Sequence, residues 1–172
     1  MAWTTGTRRF VVGVSGSLGS LAALHRAVGE VRHGGAELLV VLAWEAPGGA
    51  PACHRAPCPP LLAAVHRRAE ERLRAALDAA FVGDLVPYRA TTVRGPAGEV
   101  LVAAADHPGD VLVVGVARGG RWRRLVWPSV ARYCVSHATC PVLTVPPSPL
   151  QHDLSVLRRR IAMRLPLPRI GR

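Results

Sequence analysis

Apolar runs of strand length recur along this chain and alternate with segments of helical periodicity. The clearest runs are residues 10–14, 37–44, 110–115 and 141–145. Strands that are apolar at nearly every position are typical of a parallel sheet, because helices cover both of its faces. Residues 87–94 alternate polar and apolar side chains and are predicted as a strand at the sheet edge. The pattern predicts βαβ units with right-handed crossovers.

Helical periodicity predicts four helices between these strands. The first follows a turn at residues 15–17, which offers a serine N-cap, and it ends at Gly34 and Gly35. Residues 45–60, rich in Pro, Gly and Ala, are predicted as a loop. The inward-facing residues predicted for the later helices are Leu62, Val65, Ala69, Leu73, Leu77 and Ala80 in the second, Val100, Leu101 and Ala104 in the third (97–107), and Val126, Val130, Tyr133 and Cys134 in the fourth (125–138).

These elements predict one domain, residues 8–147, with a three-layer, doubly wound α/β fold around a five-stranded parallel sheet. In such sheets a ligand binds beyond the carboxyl ends of the strands, where the strand order reverses. The loops at residues 15–18 and 115–124 should meet there. Residues 148–172 carry six arginines and one acid, Asp153, and are predicted as a basic C-terminal extension.

The charge and composition exclude several function classes. The formal net charge is +11, and all 22 basic residues are arginine. The absence of lysine excludes a Walker-type phosphate lysine and a Schiff-base lysine. No apolar run reaches the roughly 18 residues of a membrane span, and the N-terminus lacks the pattern of a secretory signal. We therefore expect a cytoplasmic protein with reduced cysteines.

Several motifs, taken together, resemble the universal stress protein family. Val-Val-Gly-Val-Ser-Gly-Ser at residues 11–17 is similar to the first strand and turn of that family, and Val-Val-Leu-Ala-Trp at 40–44 is similar to its second strand. The resemblance covers about residues 8–146. Further motifs that carry it are Gly95-Pro96 with Val100-Leu101, the strand at 110–115, Trp127-Pro-Ser-Val130, and Cys140-Pro-Val-Leu-Thr-Val145.

The resemblance implies a fold, a function and partners. The fold is a sheet of order 3-2-1-4-5, of the adenine nucleotide alpha hydrolase-like type. The function is a regulatory role in the stress response, with ATP or AMP binding in many members and no agreed enzymatic reaction. The family also implies a homodimer joined through the last strand. We therefore expect no enzyme, no catalytic residues, and no metal beyond the magnesium that accompanies a nucleotide.

The nucleotide motif of ATP-binding family members is degraded in this chain. That motif is Gly, two residues, Gly, nine residues, then Gly-Ser or Gly-Thr. Gly115 matches the first position, but Arg118 stands at the second, beside Gly119. Pro128 replaces the third glycine, while Ser129 matches the hydroxyl. Proline has no N–H to offer a phosphate, and arginine adds bulk where a bare backbone is expected, yet it also supplies positive charge.

The resemblance places Ser15 against the nucleotide, where the family often has an acid, and Ala43 against adenine through its backbone. The nucleotide-binding residues it implies are Ser15, Ala43, Gly115, Arg118, Gly119, Arg121, Ser129 and Val130. Two functions stay open. The protein is either a nucleotide-binding regulator, or an interaction module without nucleotide that acts through its dimer surface and basic tail. The missing acids argue against a third function, an ATP-consuming enzyme.

Other motifs have simpler interpretations. Residues 15–20 resemble the phosphate loop of ATP pyrophosphatases but lack its aspartate, so an ordinary strand-to-helix turn is favoured. Gly13 is interpreted as a packing residue. The tail offers charge to nucleic acid or anionic lipid but has no aromatic side chain to stack on bases, which favours a plain extension.

The four cysteines are also interpreted without a metal or a nucleophile. Cys53, His54, Cys58 and His66 suggest zinc only weakly, because a single loose Cys pair is not typical of zinc sites. A loop with free thiols, or a lid over the nucleotide cleft, is favoured. Cys134 is predicted in the core. Cys140, just before the last strand, is predicted near a dimer partner.

Overall fold

The computed structural model of the chain describes residues 8–55, 58–81, 86–116 and 129–147. Five parallel strands form one sheet of order β3-β2-β1-β4-β5, which confirms the predicted fold class and the edge position of β3. The predicted extension, residues 148–172, lies outside the described residues. The strands are β1 Arg9–Gly13, β2 Glu37–Trp44, β3 Tyr88–Arg94, β4 Asp110–Gly115 and β5 Val142–Val145.

Five helices accompany these strands in the described residues. No helix of this part of the chain is both long enough and apolar enough to span a bilayer. The helices are α1 Leu18–Gly34, α2 Gly49–Arg55, α3 Pro59–Ala80, α4 Ala97–Ala104 and α5 Val130–His137.

The helix α2 corrects the prediction that residues 45–60 form a loop. Gly48 and Gly49 have φ angles of 76° and 75°, so two glycines supply the left-handed turn with which the helix begins. Pro51 lies in its first turn, where a missing N–H is tolerated. The composition that favoured a loop therefore also fits a short helix start.

The ends of α1 follow from its caps, whereas α4 ends earlier than predicted. Ser17 accepts a hydrogen bond from the backbone N–H of Ser20, and Gly35, with φ 61°, donates to the carbonyl of Val31, as the sequence predicts for both ends of α1. By contrast, α4 ends at Ala104, three residues before the predicted end. Pro108 accounts for the last of these three residues, because His107, directly before a proline, avoids helical geometry.

Helices cover both faces of the sheet, and this explains the continuous apolar runs. Phe10 and Val12 pack with α1 and α3 on one face, whereas Val11 packs with α4 and α5 on the other. Neighbouring strand residues point to opposite faces, so a strand covered twice needs apolar side chains throughout. Edge strand β3 lacks this pattern, and six of its seven residues are exposed.

The last helix differs from its prediction in one residue. Val130, predicted to face inward, has 38% of its surface exposed, because it is the first residue after the Ser129 cap and precedes the buried turn. Ala131 and Cys134 form the buried stripe instead. The predicted helical residues before 129 lie outside the described ranges.

Candidate functional site

The strand order reverses beside β1, which pairs with β2 on one side and with β4 on the other. The chain leaves β1 and β4 at the same carboxyl edge, since all five strands are parallel. A crevice at this kind of reversal is where doubly wound proteins bind ligands. The structure therefore confirms the neighbouring strands on which the predicted site depends.

The first turn of α1 and the exit of β4 are in direct backbone contact. A Cβ placed on Gly115 would lie 2.6 Å from the nitrogen of Ser20, and one placed on Gly19 would lie 2.8 Å from the carbonyl oxygen of Val116. Real Cβ atoms essentially never approach that closely. No ligand atom fits between these two backbones, so a ligand at this edge must lie above the contact.

The turn between β1 and α1 presents two hydroxyls to solvent. Ser15 donates through its Oγ to the Oγ of Ser17 at 3.0 Å, and both residues are exposed. Ser20 is buried beneath them, where its Oγ accepts from the N–H of Ser15 at 3.1 Å and donates to the carbonyl of Ser17 at 2.9 Å. The turn is thus an ordinary capped turn in its internal bonding, as predicted, and Ser15 remains accessible to a ligand.

Ala43 directs its backbone towards the site. The carbonyl of Val41 accepts a hydrogen bond from the N–H of Val14 at 2.9 Å, so the backbone groups of Val41 point towards β1. Because this direction repeats every second residue along a strand, the backbone groups of Ala43 point to the same side. Pairing with β1 ends at Gly13, opposite Val41. The amide and carbonyl of Ala43 therefore face the space beyond the end of β1.

The remaining predicted site residues divide into two groups. Ser129 is exposed and caps α5 by accepting a hydrogen bond from the N–H of Arg132 at 3.4 Å, and Val130 is exposed beside it. Arg118, Gly119 and Arg121 lie outside the described residues, as does Pro128.

The sequence interpretation of Gly13 agrees with its surroundings. A Cβ placed on Gly13 would lie 2.5 Å from Cδ1 of Leu101, a residue of α4. This contact supports the packing role, since a side chain at this position would have to displace the side chain of Leu101.

A group that the sequence analysis missed lies at the carboxyl ends of β2 and β3. Trp44 stacks on His66 with ring centroids 5.1 Å apart, and the guanidinium carbon of Arg94 lies 5.9 Å from the centroid of Trp44. His66 also contacts the hydroxyl of Thr92 at 2.9 Å, and Arg94 donates to the Sγ of Cys53 at 3.2 Å. Aligning β2 with β3 in the sequence would have pointed to this group, because Trp44 and Arg94 are paired at the carboxyl ends of the two strands.

The Cys and His side chains of the weak zinc motif lie partly in this group. His66 contacts Thr92 and Trp44, and Cys53 accepts from Arg94, but among the described residues these Cys and His side chains do not form a group of three that could hold a metal ion. In the described part of the chain, the acid and His groups that do converge are Asp106, His107 and Asp110, at the opposite edge of the sheet. Nη2 of Arg9 lies 2.6 Å from Asp110 Oδ2 and 2.8 Å from His107 Nδ1, so a guanidinium already serves as their cation.

Comparison with solved structures identifies relatives of the same fold. A universal stress protein in complex with cAMP is 27% identical, with a TM-score of 0.53, over 83% of this chain and 98% of the other. UspA from Lactobacillus plantarum is 22% identical, with a TM-score of 0.64, over 80% and 97%. A universal stress protein from Archaeoglobus fulgidus in complex with dAMP is 19% identical, with a TM-score of 0.54, over 83% and 99%.

Comparison with curated proteins found no match. The model of the Universal stress protein family, however, matches residues 6–146, which is most of the chain. The match includes all five strands and the turn, cap and strand end that form the candidate site. The family match covers most of the chain and agrees with the observed sheet order, and the chain belongs to the universal stress protein family.

Proposed function

We propose that this protein is a stress-response regulator that binds an adenine nucleotide, ATP or AMP, at the carboxyl edge of β1 and β4. The observation that carries the proposal is the contact between Gly19 and Gly115, which brings the β1 turn and the β4 exit together where the strand order reverses. The relative that is 27% identical was solved in complex with cAMP, and this supports an adenine nucleotide as the ligand class.

The described residues assign distinct tasks around such a ligand. The outward-facing amide and carbonyl of Ala43 match the donor and acceptor edge of adenine. The hydroxyl of Ser15 is exposed and suits the sugar or a phosphate. Ser129 and the N–H groups that begin α5 suit phosphate oxygens, because a helix N-terminus carries partial positive charge. This is a binding function, and it requires no catalytic residue.

Isothermal titration of the purified protein with ATP and AMP tests the proposal. We expect saturable binding in the micromolar range, and the absence of heat at millimolar ligand would remove the function. In Ser129→Asp the helix cap is kept but a negative charge faces the phosphates, so affinity should fall about tenfold or more. Ser136→Asp, which adds the same charge at the far end of the same helix, is the matched control and should bind as the wild type does.

A homodimer through β5 forms the second part of the proposal. Strand β5 is an edge of the sheet, and an open groove of about 370 Å³ lies beside it, lined in part by Phe10, Val111 and Leu143. A second copy of the chain would form hydrogen bonds with the outward backbone groups of β5 and cover this apolar lining.

An interaction module without nucleotide remains the competing function. This alternative shares the β5 edge, which is the observation that favours it. The titration above separates the two, since only the regulator binds nucleotide. Cytoplasmic location and a magnesium ion bound with ATP stay predictions, which fractionation and titration with and without magnesium would test.

A further inference from the structure

Arg72 of α3 lies against the turn that connects β1 to α1. A Cβ placed on Gly16 would be 3.2 Å from Cγ and 3.3 Å from Cδ of Arg72. Gly16 has a φ angle of 77°, a backbone conformation that residues other than glycine rarely adopt. The bare Cα at this position thus leaves room for the stem of Arg72, which lies across the turn from the α3 side.

The charge of Arg72 is not used by the described protein. In residues 8–55, 58–81, 86–116 and 129–147, Arg72 forms no ion pair or hydrogen bond, whereas Arg9 and Arg26 are each paired with an acid. Its guanidinium carbon is two bonds beyond Cδ, and Cδ already lies over Gly16. The stem of Arg72 therefore brings its guanidinium within reach of the exposed, uncharged residues Ser15 and Ser17, and this turn has no carboxylate to neutralise it.

Other exposed arginines of α3 differ from Arg72 in position. Arg74 is also exposed and carries the same charge, but it lies two residues further along the helix, about 200° around its axis, so the two side chains project on different sides. The contact with Gly16 is what distinguishes Arg72. Arg72 is thus a cation at the edge of the candidate site, contributed by an element outside the family's nucleotide motif.

We infer that Arg72 reads the phosphate of the ligand at this site, pairing with its oxygens above the Ser15–Ser17 turn. The inference rests on the proposed function and specifies which ligands the site prefers. A guanidinium offers two parallel N–H donors that match a phosphate, and this pairing is stronger than a neutral hydrogen bond. A phosphorylated nucleoside should gain affinity from Arg72, and an uncharged nucleoside should not.

Titration of Arg72→Gln with AMP, ATP and adenosine tests the inference, with Arg74→Gln as the matched control. We expect Arg72→Gln to weaken AMP and ATP about tenfold or more, because one charge-assisted pair is lost, and to leave adenosine unchanged. The salt dependence of AMP binding should become shallower in the same variant. Arg74→Gln should match the wild type in every titration, and thermal melts of both variants should overlay.

Two outcomes separate failure of this inference from failure of the proposed function. If the wild type binds AMP and Arg72→Gln binds it equally well, Arg72 is not the phosphate reader, although nucleotide binding stands. If the wild type binds no nucleotide, the proposed function fails. The role of Arg72 is then tested separately by adding tripolyphosphate and recording the amide NMR spectrum. Shifts at Gly16 and Ser17 that vanish in Arg72→Gln support the inference. Their absence, or their persistence in that variant, overturns it.

Discussion

Arg9 and Asp110 form a two-point ion pair at the amino ends of β1 and β4. Nε of Arg9 donates to Oδ1 of Asp110 at 2.8 Å, and Nη2 donates to Oδ2 at 2.6 Å. The carboxylate has no exposed surface, and it also accepts the N–H of His107 at 3.0 Å. The pair links β1 to β4 at the edge of the sheet opposite to the candidate site.

Replacing Arg9 should destabilise the fold strongly. Arg9→Leu leaves the buried carboxylate of Asp110 without its partner, and removing one member of such a pair costs about 3 kcal/mol or more. Equilibrium unfolding in urea measures the loss. Arg8→Leu removes the same charge at the exposed neighbouring position and should change the free energy of unfolding by less than about 0.5 kcal/mol. Equal effects of the two substitutions would contradict the structural role of the pair.

Substitution of glycine by alanine should have opposite effects at the α1–β4 contact and at an open position within α1. Gly115→Ala forces a Cβ into the backbone of Gly19 and Ser20, so stability should fall by roughly 2–3 kcal/mol and ligand binding should be lost with the edge geometry. In Gly29→Ala the new Cβ meets nothing within 4 Å inside α1, and stability should rise by roughly 0.5–1 kcal/mol. Urea unfolding of both variants is the measurement, and a stable Gly115→Ala would contradict the close contact.

The dimer proposal predicts a proline effect at one strand position. The carbonyls of Pro141 and Val145 accept hydrogen bonds from Leu112 and Val116, on the β4 side. Backbone groups alternate in direction along a strand, so those of Val142 and Thr144 point to the free edge. Thr144→Pro removes an outward N–H while leaving the β4 ladder intact, as edge strands tolerate. Light scattering should show a dimer for the wild type and for the control Thr144→Val, and a monomer for Thr144→Pro. A wild-type monomer would refute the dimer.

The sequence predicted those features of the fold that depend on local pattern. Continuous apolar runs identified the strands, because burial on both faces leaves no place for alternation, and Ser17 and Gly35 marked the ends of α1 because caps are local. The helix α2 was missed, since its Gly and Pro content is shared by loops and helix starts. Val130 was misplaced because a helical stripe cannot show at which residue its first buried turn begins.

The features of the fold and of the candidate site that could not be predicted depend on contacts between distant segments. Arg9 and Asp110 are 101 residues apart, and nothing local to either residue marks the other as its partner. The approach of Arg72 to Gly16 requires the packing of α3 against α1, which periodicity does not determine. A resemblance transfers motif residues such as Ser15 and Ser129, but it does not reveal a cation contributed by an element outside the motif.

Cys134 predicts a loss of stability at high pH. Its side chain is fully buried against the sheet, and this burial raises the pKa of the thiol from 9.0 to about 11. Between these values the unfolded chain has lost the thiol proton while the folded chain retains it. The stabilisation is therefore complete below pH 9 and falls as pH rises towards 11, by roughly 2–3 kcal/mol in total.

Urea unfolding at intervals from pH 8 to pH 11 measures this slope. Other groups titrate in the same range, so the informative quantity is the difference between the wild type and Cys134→Ala, whose slope should be shallower. Cys58→Ala is the control, since that thiol is exposed and its removal should leave the wild-type slope unchanged. Because burial of the thiol causes the effect, identical slopes for the wild type and Cys134→Ala would mean that the inner stripe of α5 does not enclose Cys134 in solution.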